Sequence, residues 1–374
     1  MHVQSVNKSK NLNLKLIYIT IFLTNITQSP QLIGSRINSL ITLGTWGVLF
    51  LNGLILSEYR IKRGALKVAG CTVLVYIYCY LMEFFSTKGY ADIHLLYPVA
   101  LSTFVFIVGS FYTKTLKDEQ CFQGIYKTYI ISTLIVSFFV FENIMSNGFE
   151  WGSRVYAYAS KNSISQIFLT AIIFLFFISK KKLLLRLGIA SWLILLMAMM
   201  RSRASLIGLV LVVFAIITNK SIRKIYKFLI ILGVLLFAIY TNRNPTLNEI
   251  IVQGIIYGGR SMTDLNDASS GRLDMLVSFI NLFPDNCILG IGNYFLESFY
   301  LSSLLQFGSL GVIPFIALLI FPLTVYKKMQ EGRERIIFGL IIACYYVNGI
   351  FEELAPFGPG VKCYMLWFIL GLFI

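Results

Sequence analysis

Two arginines, Arg201 and Arg203, stand two residues apart in a segment that continuous apolar sequence flanks on both sides. The turn between the flanking helices is therefore short, and both guanidinium groups are expected at or slightly below a membrane surface. Charges at that depth are costly unless they are paired, so they usually have a function. Because a guanidinium binds phosphate oxygens in a bidentate geometry, the pair predicts a diphosphate site, with snorkelling to lipid headgroups as the alternative.

Apolar sequence dominates the chain and sets its class. Hydrophobic residues make up 57% of the 374 residues and charged residues 13%, with a mean hydropathy of +0.76. Its apolar runs reach the roughly 20 residues that span a bilayer. The sequence therefore predicts an integral membrane protein. The alternating strands of a membrane barrel are absent, which leaves helices as the spanning elements.

We predict an all-α polytopic integral membrane protein in which residues 1–374 form a single membrane domain with both termini cytoplasmic. It has about twelve transmembrane helices, placed by hydropathy. The first span is polar. The ninth and the last spans are short, which indicates that the protein is thinner than the bilayer at these places or that these helix ends are buried within it. The predicted spans cover residues 14–32, 36–57, 67–86, 95–112, 125–145, 163–179, 183–200, 204–218, 228–241, 300–325, 336–351 and 361–374.

Positive charge is concentrated in six short stretches between the apolar runs. These stretches hold twenty-two of the 32 lysines and arginines. This is the positive-inside pattern, and it assigns the six stretches to the cytoplasm. The net charge of +15 therefore does not indicate a nucleic-acid partner, because the excess lies in the inner loops. Six scattered cysteines without CxxC spacing imply neither a disulfide framework nor a metal site.

Ten basic residues fall on the predicted outer side, and seven of them are arginines, whereas lysine predominates inside. Arginine is the side chain that recognises phosphate in a bidentate geometry, so an arginine-rich outer face indicates an anionic ligand. Binding to lipid headgroups and pairing with outer carboxylates are the alternatives. The ten residues are Arg36, Lys88, Arg154, Lys161, Arg201, Arg203, Arg243, Arg260, Arg272 and Lys362.

One predicted outer connection, residues 242–299 between the ninth and tenth helices, is much longer than the others. Loops longer than about 15 residues are usually functional or disordered. Apolar stretches at 250–257 and 273–283 are spaced as in amphipathic helices, so this large periplasmic loop is predicted to fold as a cap on the membrane. Asp264 and Asp267 are conceivable metal ligands. The residues that follow are typical of a turn and helix N-cap before Arg272, and no metal or cofactor is predicted.

Several short motifs between residues 155 and 374 have a characteristic order and spacing. They are residues 161–166, 202–205, 270–272, 290–292 and 297–301, then Gly308 and Gly311, and finally residues 351–353 and 356–360. Their combination resembles the O-antigen polymerase (Wzy) family, within the O-antigen ligase and polymerase superfamily. The resemblance covers residues 155–374, and the first 150 residues match only in being hydrophobic.

The resemblance implies a glycosyltransferase of the bacterial inner membrane with its active site facing the periplasm. Such polymerases transfer a glycan from one undecaprenyl-diphosphate carrier to the non-reducing end of a repeat unit on another, and undecaprenyl diphosphate leaves. The implied donor and acceptor are therefore undecaprenyl-diphosphate-linked oligosaccharides of an O-antigen or capsular polysaccharide. A chain-length regulator protein is a further implied partner.

This chemistry gives roles to the arginines and to one carboxylate. The main catalytic demand is to stabilise negative charge on the departing diphosphate, which we expect from Arg201, Arg203 and Arg272. An attacking hydroxyl must also lose its proton, and Glu297 is the candidate general base. Ligases of the superfamily have a histidine in the corresponding H-N-x-Y-L segment. The departure at Glu297 favours a polymerase over a ligase.

Contacts with sugar are expected from a further group of residues on the outer side. Glu352 and Glu353 are also rival bases, because adjacent carboxylates shift each other's pKa. For Glu297, pairing with an outer arginine is the alternative to a role as the base. The glycan-binding group is Arg154, Lys161, Asn162, Tyr300, Glu352 and Glu353.

Two other functions stay open at this stage. A ligase would transfer the finished glycan to lipid A-core, and a flippase or other transporter would move lipid-linked oligosaccharides across the membrane. A transporter needs charges along a path through its helices, whereas the deepest acids, Glu83 and Glu142, lie near predicted outer ends. No glycine-rich phosphate loop is found on the inner side, which disfavours a nucleotide-dependent mechanism.

Overall fold

The structure is a computed structural model that describes all residues except 1, 87, 115, 117, 118, 152–160, 179–182, 219–223, 258, 259, 261, 262, 270 and 359–362. Helices account for 80% of it, and no strand occurs in the described residues. The predicted all-helical class is confirmed. In an apolar medium each backbone N–H and C=O must find a partner within its own segment, which explains why these apolar runs fold as helices.

Sixteen α-helices lie in the described residues. They are α1 His2–Ile26, α2 Arg36–Leu56, α3 Arg63–Phe85, α4 Leu96–Phe111, α5 Glu119–Ser146, α6 Lys161–Ile178, α7 Leu183–Met199, α8 Arg203–Thr218, α9 Lys224–Arg243, α10 Pro245–Glu249, α11 Leu265–Ser269, α12 Arg272–Asn286, α13 Phe299–Gly311, α14 Ile313–Lys328, α15 Arg333–Phe351 and α16 Tyr364–Leu372. A 3₁₀ turn at Tyr90–Asp92 and a π-helical segment at Ile250–Ile256 complete the described helices.

Several of these helices are suited to a membrane. In the described part, α2, α3, α5 and α15 are each long and apolar enough to span a bilayer, and two bent helix pairs bring the number to six at most. Large apolar side chains on their outer faces are exposed, including Leu40 and Leu51 of α2. Such surfaces are typical of lipid contact. The chain is therefore a membrane-embedded helical protein, whereas the predicted number of twelve spans is not confirmed.

The predicted tenth span, residues 300–325, is broken into α13 and α14, which meet at 113°. The break follows Gly308, whose φ of +64° and ψ of −176° are not helical. A loop from the preceding segment bonds to the freed backbone, with the N–H of Ile291 donating to Leu305 O at 2.9 Å and that of Ser309 to Cys287 O at 2.8 Å. We call this paired segment, residues 287–292 with 305–310, the interlocked loop.

The interlocked loop makes a direct prediction about stability. A Cβ at Gly308 would lie 2.4 Å from Ile288 O, in a backbone conformation that side chains rarely adopt. We therefore expect Gly308→Ala to lower the free energy of unfolding by about 3 kcal/mol. The matched control is Gly44→Ala in α2, where nothing lies within 4 Å and the helix propensity of alanine stabilises by up to about 1 kcal/mol. Equal melting temperatures for the two variants in detergent would contradict the expectation.

The predicted last span, residues 361–374, corresponds to the nine-residue helix α16. All of its residues are buried, and at 1.5 Å per residue it is too short to cross a bilayer. It packs against α4 at two glycines, where a Cβ on Gly109 would lie 2.4 Å from Phe368 O and one on Gly371 2.3 Å from Phe106 O. Small residues let two helix backbones approach closely. α16 is thus an internal helix of the bundle.

The polar C-terminal part of the first helix is buried within the bundle. The amide of Asn25 donates to Ser132 Oγ at 2.9 Å, and its oxygen accepts from the Tyr364 hydroxyl at 3.0 Å. These contacts join α1 to α5 and α16. A buried amide in an apolar surrounding is stable when its donors and acceptors have partners, as here. The polar character that made this span unusual in the sequence is explained by these internal bonds.

The bundle has two distinct ends. α15 begins at Arg333, where basic side chains of α3, α14 and α15 line a cavity of about 720 Å³. It ends at Phe351, beside the starts of α6 and α8. We call the first the basic end and the second the motif end. The basic residues at the cavity are Arg63, Lys67, Lys328, Arg333 and Arg335.

The long connection between α9 and α13 contains the helices that its apolar spacing predicts. Residues 250–257 and 273–283 lie in the π-helical segment and in α12, respectively. Asp264 caps α11, since its Oδ1 accepts the N–H of Asn266 at 2.8 Å and of Asp267 at 3.3 Å. The N-cap predicted before Arg272 is therefore wrong in position, because α12 has Gly271 as its N-cap without a side-chain hydrogen bond, and the side-chain cap precedes α11 instead.

Candidate functional site

A hydrogen-bond chain joins three of the motifs at the motif end. The Asn162 side-chain amide donates to the Glu352 carboxylate, and the Ser202 hydroxyl donates to Asn162 Oδ1 at 3.2 Å. These residues lie at the start of α6, before α8 and after α15. Asn162 and Glu352 are 190 positions apart in the sequence. The fold therefore brings together segments that the sequence shows only as separate motifs.

Arg272 lies at the junction of α12, α13 and α15. Its Nη1 donates to Ser269 O at 3.0 Å and its Nη2 to Phe351 O at 3.5 Å. The guanidinium also stacks over the Phe351 ring, 5.2 Å from its centroid. A planar cation on an aromatic face gains electrostatic attraction and a fixed orientation. Arg272 is thus held against Phe351, the residue that precedes Glu352 in the sequence.

Glu297 lies beside Arg272. Its Oε2 is 3.8 Å from Arg272 Nη2, and the exposed fractions of the two side chains are 54% and 26%. An ion pair this long and this exposed contributes little to stability. The pairing that was the alternative for Glu297 is present in the structure, and the carboxylate also faces solvent. Both groups are accessible to a ligand that enters between them.

The start of α13 fixes Glu297 relative to Glu352. The N–H of Phe299 donates to Glu352 O at 3.1 Å, and the Tyr300 hydroxyl donates to Tyr346 O on α15 at 2.9 Å. Tyr300 therefore holds α13 against α15, and its predicted contact with a glycan would use the ring rather than the donor. Because Glu297 lies only two residues before Phe299, this bond also fixes the position of its segment relative to Glu352.

The two arginines of the α7–α8 turn differ in environment. Arg201 is only 4% exposed, has a φ of +54°, and donates from Nη2 to the carbonyls of Glu150 and Trp151 at 2.7 and 2.8 Å. Arg203 is partly exposed, and its Nη1 lies 3.5 Å from Ile256 O. The burial of Arg201 favours an anchoring role over contact with a ligand. Arg203, at the first position of α8, is the one that an anion can reach.

Glu353 is buried and joins the last turn to α13. Its Oε1 accepts from Ser302 Oγ and from Gln306 Nε2, both at 2.9 Å. Burial raises the pKa of the Glu353 carboxyl, while the hydrogen bonds from Ser302 and Gln306 and the nearby His94 act in the opposite direction. Glu353 is too enclosed to meet a substrate, so the geometry favours a positioning role for it.

The raised pKa of Glu353 predicts a pH dependence of stability. A carboxyl whose folded pKa is raised contributes stability below its unfolded pKa, near 4.5, and loses it as pH rises through the folded value. We expect Glu353→Gln, which removes this titration, to reduce the pH-dependent loss by on the order of 1 kcal/mol. Melting temperatures measured from pH 4 upward test this, with the exposed Asp285→Asn as control. Parallel profiles for wild type and Glu353→Gln would contradict it.

The remaining predicted residues are less informative. Lys161 opens α6 beside Asn162 and is half-buried. Arg154 and Lys362 lie outside the described residues. In the part of the chain that the structure describes, no three His, Cys, Asp or Glu side chains lie close enough to hold a metal ion.

Two polar side chains that support the site were missed from the sequence. Ser302 and Gln306 lie four residues apart on α13, so they share one face and both reach Glu353. The available signal was a pair of polar residues at helical spacing in an otherwise apolar run. Their partner could not be identified, because Glu353 lies 47 and 51 positions away in the sequence.

The chain matches no known protein-family model, and no curated protein shows a significant match to it. The resemblance to O-antigen polymerases therefore rests on the sequence motifs alone.

Proposed function

We propose that the chain is an O-antigen or capsular polysaccharide polymerase that joins undecaprenyl-diphosphate-linked repeat units at the periplasmic face of the bacterial inner membrane. The observation that supports it best is the convergence at the motif end. Ser202, Asn162 and Glu352 form one hydrogen-bond chain, and Arg203 directly follows Ser202 in the sequence. Arg272 contacts Phe351, the residue before Glu352, and lies 3.8 Å from Glu297. A cationic site with a nearby carboxylate at one end of a membrane bundle suits an amphiphilic diphosphate donor.

In the proposed mechanism, Arg203 and Arg272 bind the donor diphosphate, with Arg201 anchoring the turn that carries Arg203. The acceptor hydroxyl attacks the anomeric carbon of the donor sugar as the bond to the diphosphate oxygen breaks. Glu297 takes the hydroxyl proton, and the two guanidinium groups stabilise the charge on the leaving undecaprenyl diphosphate. Asn162 and Glu352 contact sugar hydroxyls beside the reacting centre.

The proposed orientation places the basic end in the cytoplasm and the motif end in the periplasm. The positive-inside rule supports it, because the cations around the basic-end cavity belong to loops rich in lysine and arginine. Both termini would then be cytoplasmic, with residues 242–299 on the periplasmic side. A cysteine-labelling experiment with a membrane-impermeant reagent at residues 243 and 328 tests the orientation, since only the first should react in intact cells.

A deletion strain separates this proposal from its alternatives. Loss of a polymerase leaves single repeat units on lipid A-core, whereas loss of a ligase leaves long chains on undecaprenyl diphosphate. Loss of a flippase leaves units trapped in the cytoplasm. Gel analysis of the glycan with lipid-carrier extraction distinguishes the three results. Unchanged long-chain glycan after deletion would contradict the proposal.

Replacement of Arg201 is expected to reduce stability, whereas replacement of Arg203 is expected to reduce polymerisation. Arg201→Ala removes the donors to the carbonyls of Glu150 and Trp151 and the buried side chain that makes them, so it should lower the free energy of unfolding by about 1–3 kcal/mol. Arg203→Ala should keep the melting temperature and reduce polymerisation about a hundredfold. Thermal unfolding in detergent and the glycan ladder measure the two effects. The same phenotype for both variants would contradict the assigned roles.

A further inference from the structure

A layer of unusual polar residues lies one helical turn below the motif end. Ser165 and Gln166 on α6, Ser205 on α8 and Asn348 on α15 are each at most 1% exposed. Their hydroxyl groups and both atoms of each side-chain amide have no hydrogen-bond partner in the described part of the chain. Buried polar atoms without partners are rare, and each requires an explanation. We call these four residues the polar layer.

Contacts below the layer indicate which faces of α6, α8 and α15 meet. Deeper in the bundle, a Cβ on Gly208 would lie 2.5 Å from Leu169 Cδ2, and the Cys344 thiol donates to Gly208 O at 3.6 Å. The facing positions of α6, α8 and α15 are thus 169, 208 and 344. Residues three or four positions away lie on the same helix face. Ser165, Ser205 and Asn348 are therefore directed at the same axis, one turn closer to the motif end.

The upper boundary of the layer is the hydrogen-bond chain of the candidate site. Asn162 lies four residues before Gln166 on the same face of α6, and its amide contacts Glu352 and Ser202. Asn348 likewise lies four residues before Glu352. The proposed site and the polar layer are therefore consecutive turns of the same three helices.

The chemistry of the layer selects a class of ligand. It presents two amides and two hydroxyls, which provide both donors and acceptors and no ionised group. A cation would leave the amide N–H groups without partners, and an anion would leave the amide oxygens without partners. A hydroxyl or acetamido group both donates and accepts, so it satisfies the whole set. Neutral sugar substituents have this character.

We propose that the polar layer is a subsite that receives a hydroxyl or acetamido group of the lipid-linked glycan when the Asn162–Glu352 contact opens. This inference rests on the proposed function, because that function supplies the glycan. It assigns Ser165, Gln166, Ser205 and Asn348 to substrate recognition, below the arginines that bind the diphosphate. The satisfied amide of Asn25 in the same bundle shows that the fold can provide partners for a buried amide.

The double variant Gln166→Leu with Asn348→Leu tests the proposal. Removing polar atoms that have no protein partner should leave the melting temperature unchanged or raise it. Polymerisation by the purified protein should fall at least about tenfold, through a higher KM for lipid-linked repeat units. The matched control is Asn25→Leu, which should lower the melting temperature because the Asn25 amide has partners. A stable but impaired double variant is thus the expected result.

A binding measurement complements the assay. The probe is the reducing oligosaccharide released by mild acid from the lipid-linked pool of the host strain, and it should raise the melting temperature of wild-type protein but not of the double variant. Full polymerisation by the double variant would overturn this inference and leave the proposed function standing. A lower melting temperature of the double variant would also overturn it, because the amides would then have a structural role. Wild-type protein that neither polymerises nor responds to the probe would overturn both.

Discussion

Arg272→Ala is expected to reduce polymerisation about a hundredfold to a thousandfold while the protein remains inserted in the membrane. Loss of one positioned donor to developing negative charge typically has this effect on turnover. Arg272 suits the role because its guanidinium is held by Ser269 O and by the ring of Phe351. Its Nη2 makes only contacts of 3.5 and 3.8 Å within the described residues. A phosphate oxygen can therefore compete for that nitrogen.

Two further variants show whether the effect depends on geometry. Arg272→Lys retains the charge but loses the bidentate fork, so it should recover only part of the activity. Arg243→Ala removes an exposed cation at the end of α9, so it should behave as wild type. The measurement is the initial rate of undecaprenyl diphosphate release by purified protein. Full activity of Arg272→Ala would show that Arg272 does not bind the donor diphosphate.

Glu297→Gln is expected to reduce kcat about a hundredfold or more with little change in the affinity for the lipid-linked donor. General-base catalysis contributes roughly 10²–10⁴-fold, and glutamine cannot accept the proton. Glutamine preserves the size of the side chain and its ability to accept a hydrogen bond. The loss should therefore appear in turnover. The exposed Glu249→Gln, in the same connection, is the control and should retain activity.

A lower kcat of Glu297→Gln could also result from loss of the contact between Glu297 and Arg272. The pH profile of kcat distinguishes loss of a general base from loss of this contact. A base gives a kcat that rises with pH through its pKa, and Glu297→Gln removes that limb of the profile. A residue that only positions Arg272 leaves the shape of the profile intact and raises the KM for the donor. An unchanged profile together with a raised KM would transfer the role of the base to another carboxylate.

Local patterns in the sequence predict much of the helical architecture. The apolar spacing of residues 273–283 predicts α12, which the structure contains. That spacing depends on neighbours within a few residues, which the sequence displays directly. Two of the six basic stretches, at residues 60–67 and 327–335, line one cavity at the basic end.

Long-range contacts account for what the sequence does not predict. Residues 300–325 read as one continuous apolar span, yet the chain bends after Gly308 because residues 287–292 bond to the exposed backbone there. The pairing of Asn162 with Glu352 likewise depends on the packing of α6 against α15. Neither contact has a local sequence signature. The position of α16 inside the bundle follows from close packing on α4, which a hydropathy pattern cannot distinguish from a lipid-facing span.

In the candidate site, too, some residues can be predicted from local sequence and others only from long-range contacts. Its arginines and Glu297 are visible as charges beside apolar sequence, whereas the supporting residues Ser302 and Gln306 are recognisable only through their contact with Glu353. Arg201 and Arg203 look equivalent in the sequence. Their different burial follows from the left-handed backbone at Arg201, which turns its side chain towards Glu150 and Trp151.

The most direct test of the proposed function is reconstitution of the purified full-length chain in liposomes with undecaprenyl-diphosphate-linked repeat units as the only glycan. We predict a ladder of products that each differ by one repeat, with one undecaprenyl diphosphate released for each bond formed and no nucleotide required. Gel analysis and quantification of the released carrier measure both products. Repeat units that remain single, with no carrier released by a protein that retains its wild-type fold, would contradict the proposed polymerase activity.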